Sequence, residues 1–173
     1  MVQYNTALFR KHGITTLVTS CPICLKTFRK DYNLEGIEIL HHSQYILRLI
    51  NSGKISLQHS DNKTFTYHDP CELGRGNGIY DEPRSVITAI GTLIEPKHHH
   101  RDSLCCGSSL ANTVISDSEQ ITISSSLTLE LEATGAKTLV TACPLCKKAL
   151  GRTTQQKIVD LSEIVATNLN TKP

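Results

Sequence analysis

A stretch of fourteen residues recurs in this chain as a near-copy. Residues 13–26 (GITTLVTSCPICLK) and 135–148 (GAKTLVTACPLCKK) are identical at nine of fourteen positions, 122 residues apart. The β-branched apolar run in each copy, 14–20 and 136–142, reads as a strand buried on both faces. Cys-Pro-x-Cys follows at once, and proline suits a first helical turn, where its missing N–H costs little. Each copy therefore predicts a strand that turns directly into a helix, with two thiols at the junction. A short strand (37–40 and 156–161) and a serine-initiated helix, with Ser43 and Ser162 as expected N-caps, follow in both places. The match reads as a truncated duplication. Residues 1–60 form the rear half of one unit, and residues 61–173 a complete second unit.

The stretch between the copies supplies what the first lacks. Residues 64–67 read as a strand that runs into His68-Asp69-Pro70-Cys71. A glycine-rich loop over 72–78, a helix over 84–90 introduced by Pro83, and a strand candidate at 92–94 come next. A helix over 117–134 capped by Asp117 precedes the second copy. Strands and helices alternate throughout. The expected fold class is α/β, with mostly parallel sheets flanked by helices in tandem duplicated units.

Composition narrows the chemistry. At 173 residues, 39% hydrophobic and 20% charged, the chain is long enough for a core and reads as globular. A net charge of +2 with no basic run interleaved with aromatics gives no ground for expecting nucleic acid. No apolar run approaches the length of a spanning helix, and residues 1–12 lack the apolar core of a secretory signal. Seven cysteines, an odd number, do not suit a secreted disulfide framework. The reading places the protein in the cytoplasm, where thiols serve as metal ligands or redox groups.

Five of those cysteines form a set. Cys71, Cys105-Cys106-Gly107 and Cys143-Pro-Leu-Cys146 are separated by 33 and 35 residues. A vicinal cysteine pair rarely closes on itself across a planar trans peptide, but both sulfurs can converge on one compact partner. Gly107 suits a backbone that needs positive φ or close approach. Cys71 and Cys143 each follow the end of an expected strand, the edge where open α/β sheets bind ligands. Five thiolates exceed what tetrahedral zinc requires and suit iron–sulfur chemistry.

This spacing, together with His68-Asp69-Pro70-Cys71 and Glu82-Pro83-Arg84, resembles the cysteine-rich CCG domain of heterodisulfide reductases and of the iron–sulfur subunits of glycolate and lactate oxidases. The resemblance spans nearly the whole chain. It implies an oxidoreductase subunit with a [4Fe-4S] cluster, cubane or non-cubane, held by Cys71, Cys105, Cys106, Cys143 and Cys146. It further implies that Cys21 and Cys24 are metal ligands of a first such domain. Cys105 and Cys106 would take part in disulfide chemistry on the cluster. The implied partners are an electron-donating flavin or ferredoxin-like subunit, a small-molecule disulfide or 2-hydroxy acid pathway, and a membrane complex met peripherally.

Competing readings stand beside it. A zinc-stabilised binding module would use four of the five thiolates. Cys21 and Cys24 alone also resemble a dithiol exchanger. His68 can donate a hydrogen bond to a cluster sulfur and act as a proton source, or merely cap a strand end. His98, His99 and His100 read as a solvated loop rather than as ligands. The Gly74-x-Gly76-x-Gly78 run serves tight turns better than phosphate binding. Arg75 and Arg84 either meet an anionic substrate or pair with local acids.

Overall fold

The computed structural model describes residues 1–108 and 114–170. Two parallel sheets carry the molecule. The first pairs β1 (Thr16–Thr19) with β2 (Glu38–His41). The second has the order β4-β3-β5-β6, from β3 (Thr64–His68), β4 (Thr92–Leu93), β5 (Thr138–Thr141) and β6 (Ile158–Asp160). Every pairing between these strands is parallel, as the alternation of elements predicts. The helices are α1 (Val2–Lys11), α2 (Pro22–Lys30), α3 (His42–Asn51), α4 (Gly74–Asn77), α5 (Asp81–Thr88), α6 (Asp117–Glu132), α7 (Pro144–Leu150) and α8 (Leu161–Ala166).

The repeated sequence adopts one repeated form. The order α1-β1-α2-β2-α3 matches α6-β5-α7-β6-α8. Thr19 pairs with His41 in one sheet and Thr141 with Asp160 in the other. Gly13 and Gly135 both take positive φ, 61° and 72°, in the turn before the strand. Helix α1 is not expected from the sequence, because no residue of it is buried to mark an apolar face. It leans on α2 through the edge-to-face pair Phe9–Phe28 and a bond from Asn5 Nδ2 to Tyr32 Oη.

The caps move by a residue or two. Helices α3 and α8 are capped by His41 and Asp160, not by Ser43 and Ser162. His41 and Asp160 end their strands with extended backbone, so their side chains reach forward to the free N–H groups. The serines stand two residues inside and donate backbone N–H to the caps, at 3.4 and 2.9 Å. Gln44 and Glu163 reach back to close both capping boxes. Ser116 caps α6 in place of Asp117, with Glu119 completing a third box. The glycine-rich run is partly helical: Gly74–Asn77 is a short turn of helix, stopped by Gly78 at φ 70°. A Cβ on Gly74 would clash with the Tyr80 ring, so packing fixes that glycine.

One apolar core joins the two sheets. Phe65, Tyr67, Val140 and Val159 meet Leu25 of α2 and partly buried Ile39, Ile46 and Leu47. A second core lies on the other face, where Leu139 meets Leu127 and Leu131 of α6 and Cys106, Cys143 and Cys146. The buried stripe of α6 is Ser124, Leu127, Thr128 and Leu131, while Leu129 is exposed. The two hydroxyls share Thr153 Oγ1, at 3.3 and 2.7 Å. Among the described residues no helix is long and apolar enough to cross a membrane.

Candidate metal centre

The C-terminal ends of β3 and β5 lie side by side, with His68 in register with Thr141. The chain beyond β3 brings Cys71 to that rim, and the turn into α7 brings Cys143 and Cys146. The loop before α6 lays Cys105 and Cys106 across them. All five sulfur-bearing residues line one small cavity of about 20 Å³, shared with Ile23, Pro70 and Leu145. The Cys106 and Cys146 sulfurs are 3.3 Å apart. All seven cysteines are free thiols.

The sulfurs set one another's charge. Cys105 is held far below the ordinary thiol range by hydrogen bonds from the Cys106 and Cys71 thiols, helped by the Gly107 N–H. Cys71 is driven up by its bond to Cys105 and by burial. Cys106 rises to about 11, first through Cys105. Cys143 falls to about 7, first through Cys146, and the Cys146 and Leu145 N–H groups at the α7 start add to it. Cys146 is pushed well up by the Cys106 and Cys143 sulfurs and by burial. Such a cavity holds thiolate charge poorly by itself, and a cation among the sulfurs relieves it.

His68 completes the wall. One of its ring nitrogens lies within 4.8 Å of both the Cys106 and the Cys146 sulfur. The residue is 1% exposed, and neither ring nitrogen has a hydrogen-bond partner among the described residues. Burial pushes its pKa down to about 4, so the ring is neutral and carries one N–H and one free acceptor. A buried imidazole with both nitrogens unmatched is what a site that takes a further group leaves behind. The donor set, five thiols and one imidazole nitrogen around a small buried cavity, fits a thiophilic metal or an iron–sulfur cluster.

Two arginines tie the sulfur loops together. Arg84, on α5, grips Asp69 with both terminal nitrogens at 2.7 Å, and bonds Glu95 at 2.7 and 3.1 Å and the Tyr80 carbonyl at 2.8 Å. Asp69 also accepts the His100 N–H at 2.7 Å, and its carbonyl accepts from Ser103 Oγ at 3.1 Å. The loop carrying Cys71 is thereby fastened to the loop carrying Cys105. Arg75 donates to the carbonyls of Arg101 and Ser103, at 2.9 and 2.8 Å. Both arginines thus answer to local groups. His100 holds φ 55°, unusual for a residue other than glycine. Its N–H bond to Asp69 and its stacking on Tyr80 keep it there. Gly107 takes φ 76°, and a Cβ on it would lie 2.9 Å from the Gln120 carbonyl of α6.

The remaining candidates fall elsewhere. His98 pairs with Glu130 at 2.6 Å, and His99 and His100 bond each other. None of the three belongs to a group of three metal-binding atoms among the described residues. Cys21 caps α2 and accepts the Cys24 N–H at 3.2 Å. Cys24 is raised to about 11, first through its bond to Cys21, and the Cys143 charge also reaches it. Neither lines the five-cysteine cavity, but Ile23 between them does. The Cys-Pro-Ile-Cys turn is held over that cavity by Lys26–Glu72 at 3.0 Å and by Asn77, which donates to the Pro22 and Glu72 carbonyls. No sequence signal points to this roof. It depends on how α2 packs on α4, about 50 residues along the chain.

A model of the CCG cysteine-rich domain family matches residues 65–151, just over half of the chain. The chain is 30% identical over 162 residues to the probable iron–sulfur-binding oxidoreductase FadF of Bacillus subtilis, covering 91% of this chain and 23% of that protein. It is 30% identical to a component of the dihydromethanophenazine:CoB–CoM heterodisulfide reductase of Methanosarcina mazei, covering 96% and 44%. It is 28% identical to the EtfAB:quinone oxidoreductase of Syntrophomonas wolfei, covering 95% and 26%. The chain spans between about a quarter and less than half of the length of these relatives.

Proposed function

The chain belongs to the CCG cysteine-rich domain family, and on that premise we propose that it is the cluster-holding part of an iron–sulfur oxidoreductase. The observation that carries this is the single cavity walled by Cys71, Cys105, Cys106, Cys143 and Cys146. These five are the proposed ligands of a [4Fe-4S] cluster. Bound there, the cluster would supply one-electron transfer.

The chain's own residues do the rest. Gly107 and the α7 start turn N–H groups toward the sulfurs, which favours the thiolate forms. Neutral His68 holds a proton at one ring nitrogen beside Cys106 and Cys146, placed to steady a sulfur or to protonate a leaving thiolate. Ile23 and Leu145 give the cavity part of its apolar lining. In the manner of heterodisulfide reductases, the substrate would be a small-molecule disulfide. In the manner of glycolate or lactate oxidase subunits, the domain would take electrons from a flavin subunit. A flavin or ferredoxin-like partner is required in either case, and a membrane complex can be met peripherally. The matched form of the two halves supports a duplication with units at 1–60 and 61–173, and Cys21 and Cys24 as ligands in the first.

Anaerobic reconstitution followed by iron, sulfide and paramagnetic resonance analysis tests the proposal. About four irons and four sulfides per chain are expected, with loss of both in Cys106→Ala and Cys146→Ala. One zinc per chain and no sulfide would refute it.

A further inference from the structure

Three lysines stand at the end of the second sheet opposite the sulfurs. Lys63, Lys137 and Lys157 each come one residue before a strand, and β3, β5 and β6 are neighbours in the sheet. Adjacent strands lie about 4.8 Å apart, so the three bases start from positions in a row. Together they line a groove of about 310 Å³. Buried Phe65 and Ile164 give it apolar walls, and Thr138 and Thr167 add hydroxyls. Among the described residues no carboxylate lines it. Lys63 donates to Asn168 Oδ1 and Lys137 to the Asn62 carbonyl, both neutral acceptors. Glu163 feels the charge of Lys157 but bonds Lys147 at 2.6 Å.

The first repeat closes the same corner from within. His41 and Asp160 cap equivalent helices, and three residues before them stand Glu38 and Lys157. Seven residues after these caps stand Arg48 and Thr167. Arg48 grips Glu38 with two bonds, at 2.6 and 2.5 Å. In the second repeat the carboxylate has become a lysine and the guanidinium a threonine, and Thr15 of the first copy is Lys137 in the second. An internally neutral corner is thus exchanged for a cluster of uncompensated cations. A groove of one sign with apolar walls concentrates counter-ions from solution.

We propose that this groove binds a small molecule bearing two linked phosphates, either inorganic diphosphate or the diphosphate of a nucleotide. Bases set over two strand spacings match the span of linked phosphates better than that of a single one, and lysine serves phosphate as a point charge. The inference rests on the lysines and the repeat and not on the metal reading, so either can fail alone.

Isothermal titration calorimetry of the full chain at fixed ionic strength, with inorganic pyrophosphate and separately with ADP, tests it. One site per chain is expected. Tighter binding of ADP would identify a nucleotide, and equal or weaker binding the free diphosphate. The double variant Lys137→Gln/Lys157→Gln should weaken binding about tenfold or more. Lys11→Gln/Lys54→Gln, which removes the same charge elsewhere on the surface, should leave it unchanged. Thr167→Glu supplies the missing carboxylate from within and should abolish binding. No saturable heat with either diphosphate at millimolar concentration would overturn the proposal. So would equal losses in the two double variants, or orthophosphate binding as tightly as pyrophosphate.

Discussion

Arg84 carries more of the site than any other side chain outside the sulfur set. It is 8% exposed and serves two carboxylates at once. Replacing it with methionine keeps the volume but leaves Asp69 buried without its counter-charge. Removing one partner of a buried pair costs about 3–5 kcal/mol. Arg84→Met should therefore lower the urea midpoint sharply. Arg84→Lys should recover only part of it, since an ammonium cannot grip Asp69 with two parallel bonds. The same bonds explain why Cys71 meets Cys105, although nothing in the sequence near either cysteine specifies the other. The five cysteines are legible because their spacing is distinctive. The aspartate, arginine and glutamate that hold their loops are not paired by any spacing rule, since Asp69, Arg84 and Glu95 come from three different segments.

The elements obey local chemistry more closely than apolar pattern. Asp160 and His41 end strands and begin helices in the same residue, a double duty that hides a cap from a search for serine. Asp160→Ala should cost about 1 kcal/mol in thermal or urea unfolding. Ser162→Ala should cost clearly less, and the reverse order would restore the serine as cap. Strands β1, β3 and β5 are legible from their β-branched runs, and the helices after Cys-Pro-x-Cys from their proline. Helix α1 is not, because packing on Phe28 and Tyr32 holds it rather than any buried stripe of its own. The inward face of α6 escapes an apolar count for a related reason. Its buried positions include Ser124 and Thr128, which are tolerated there because Thr153 lies opposite.

At the scale of the molecule, two buried histidines stand between the two sheets. His41 is fully buried, lies against the backbone of Ser20 and Ala142, and packs 4.3 Å from the His42 ring. Burial lowers the pKa of His41 to about 3 and lowers that of His42 as well. An unfolded chain takes up these protons near pH 6.5, whereas the folded one refuses them until far lower. Stability contributed by the neutral rings is complete above about pH 6.5 and drains away as the pH falls toward about 3. Urea midpoints should decline steadily across that window. In His41→Gln the decline should be shallower, whatever the variant's starting stability.

Because Ile23 of the Cys-Pro-Ile-Cys turn lines the sulfur cavity, a change there bears on how fast the cavity exchanges what it holds. The Lys26–Glu72 and Asn77–Pro22 links hold that turn in place. Ile23→Gly should leave the resonance spectrum of reconstituted protein in place, yet shorten the residence of its iron against a chelator several-fold. An unchanged stripping rate would mean that traffic passes by another door.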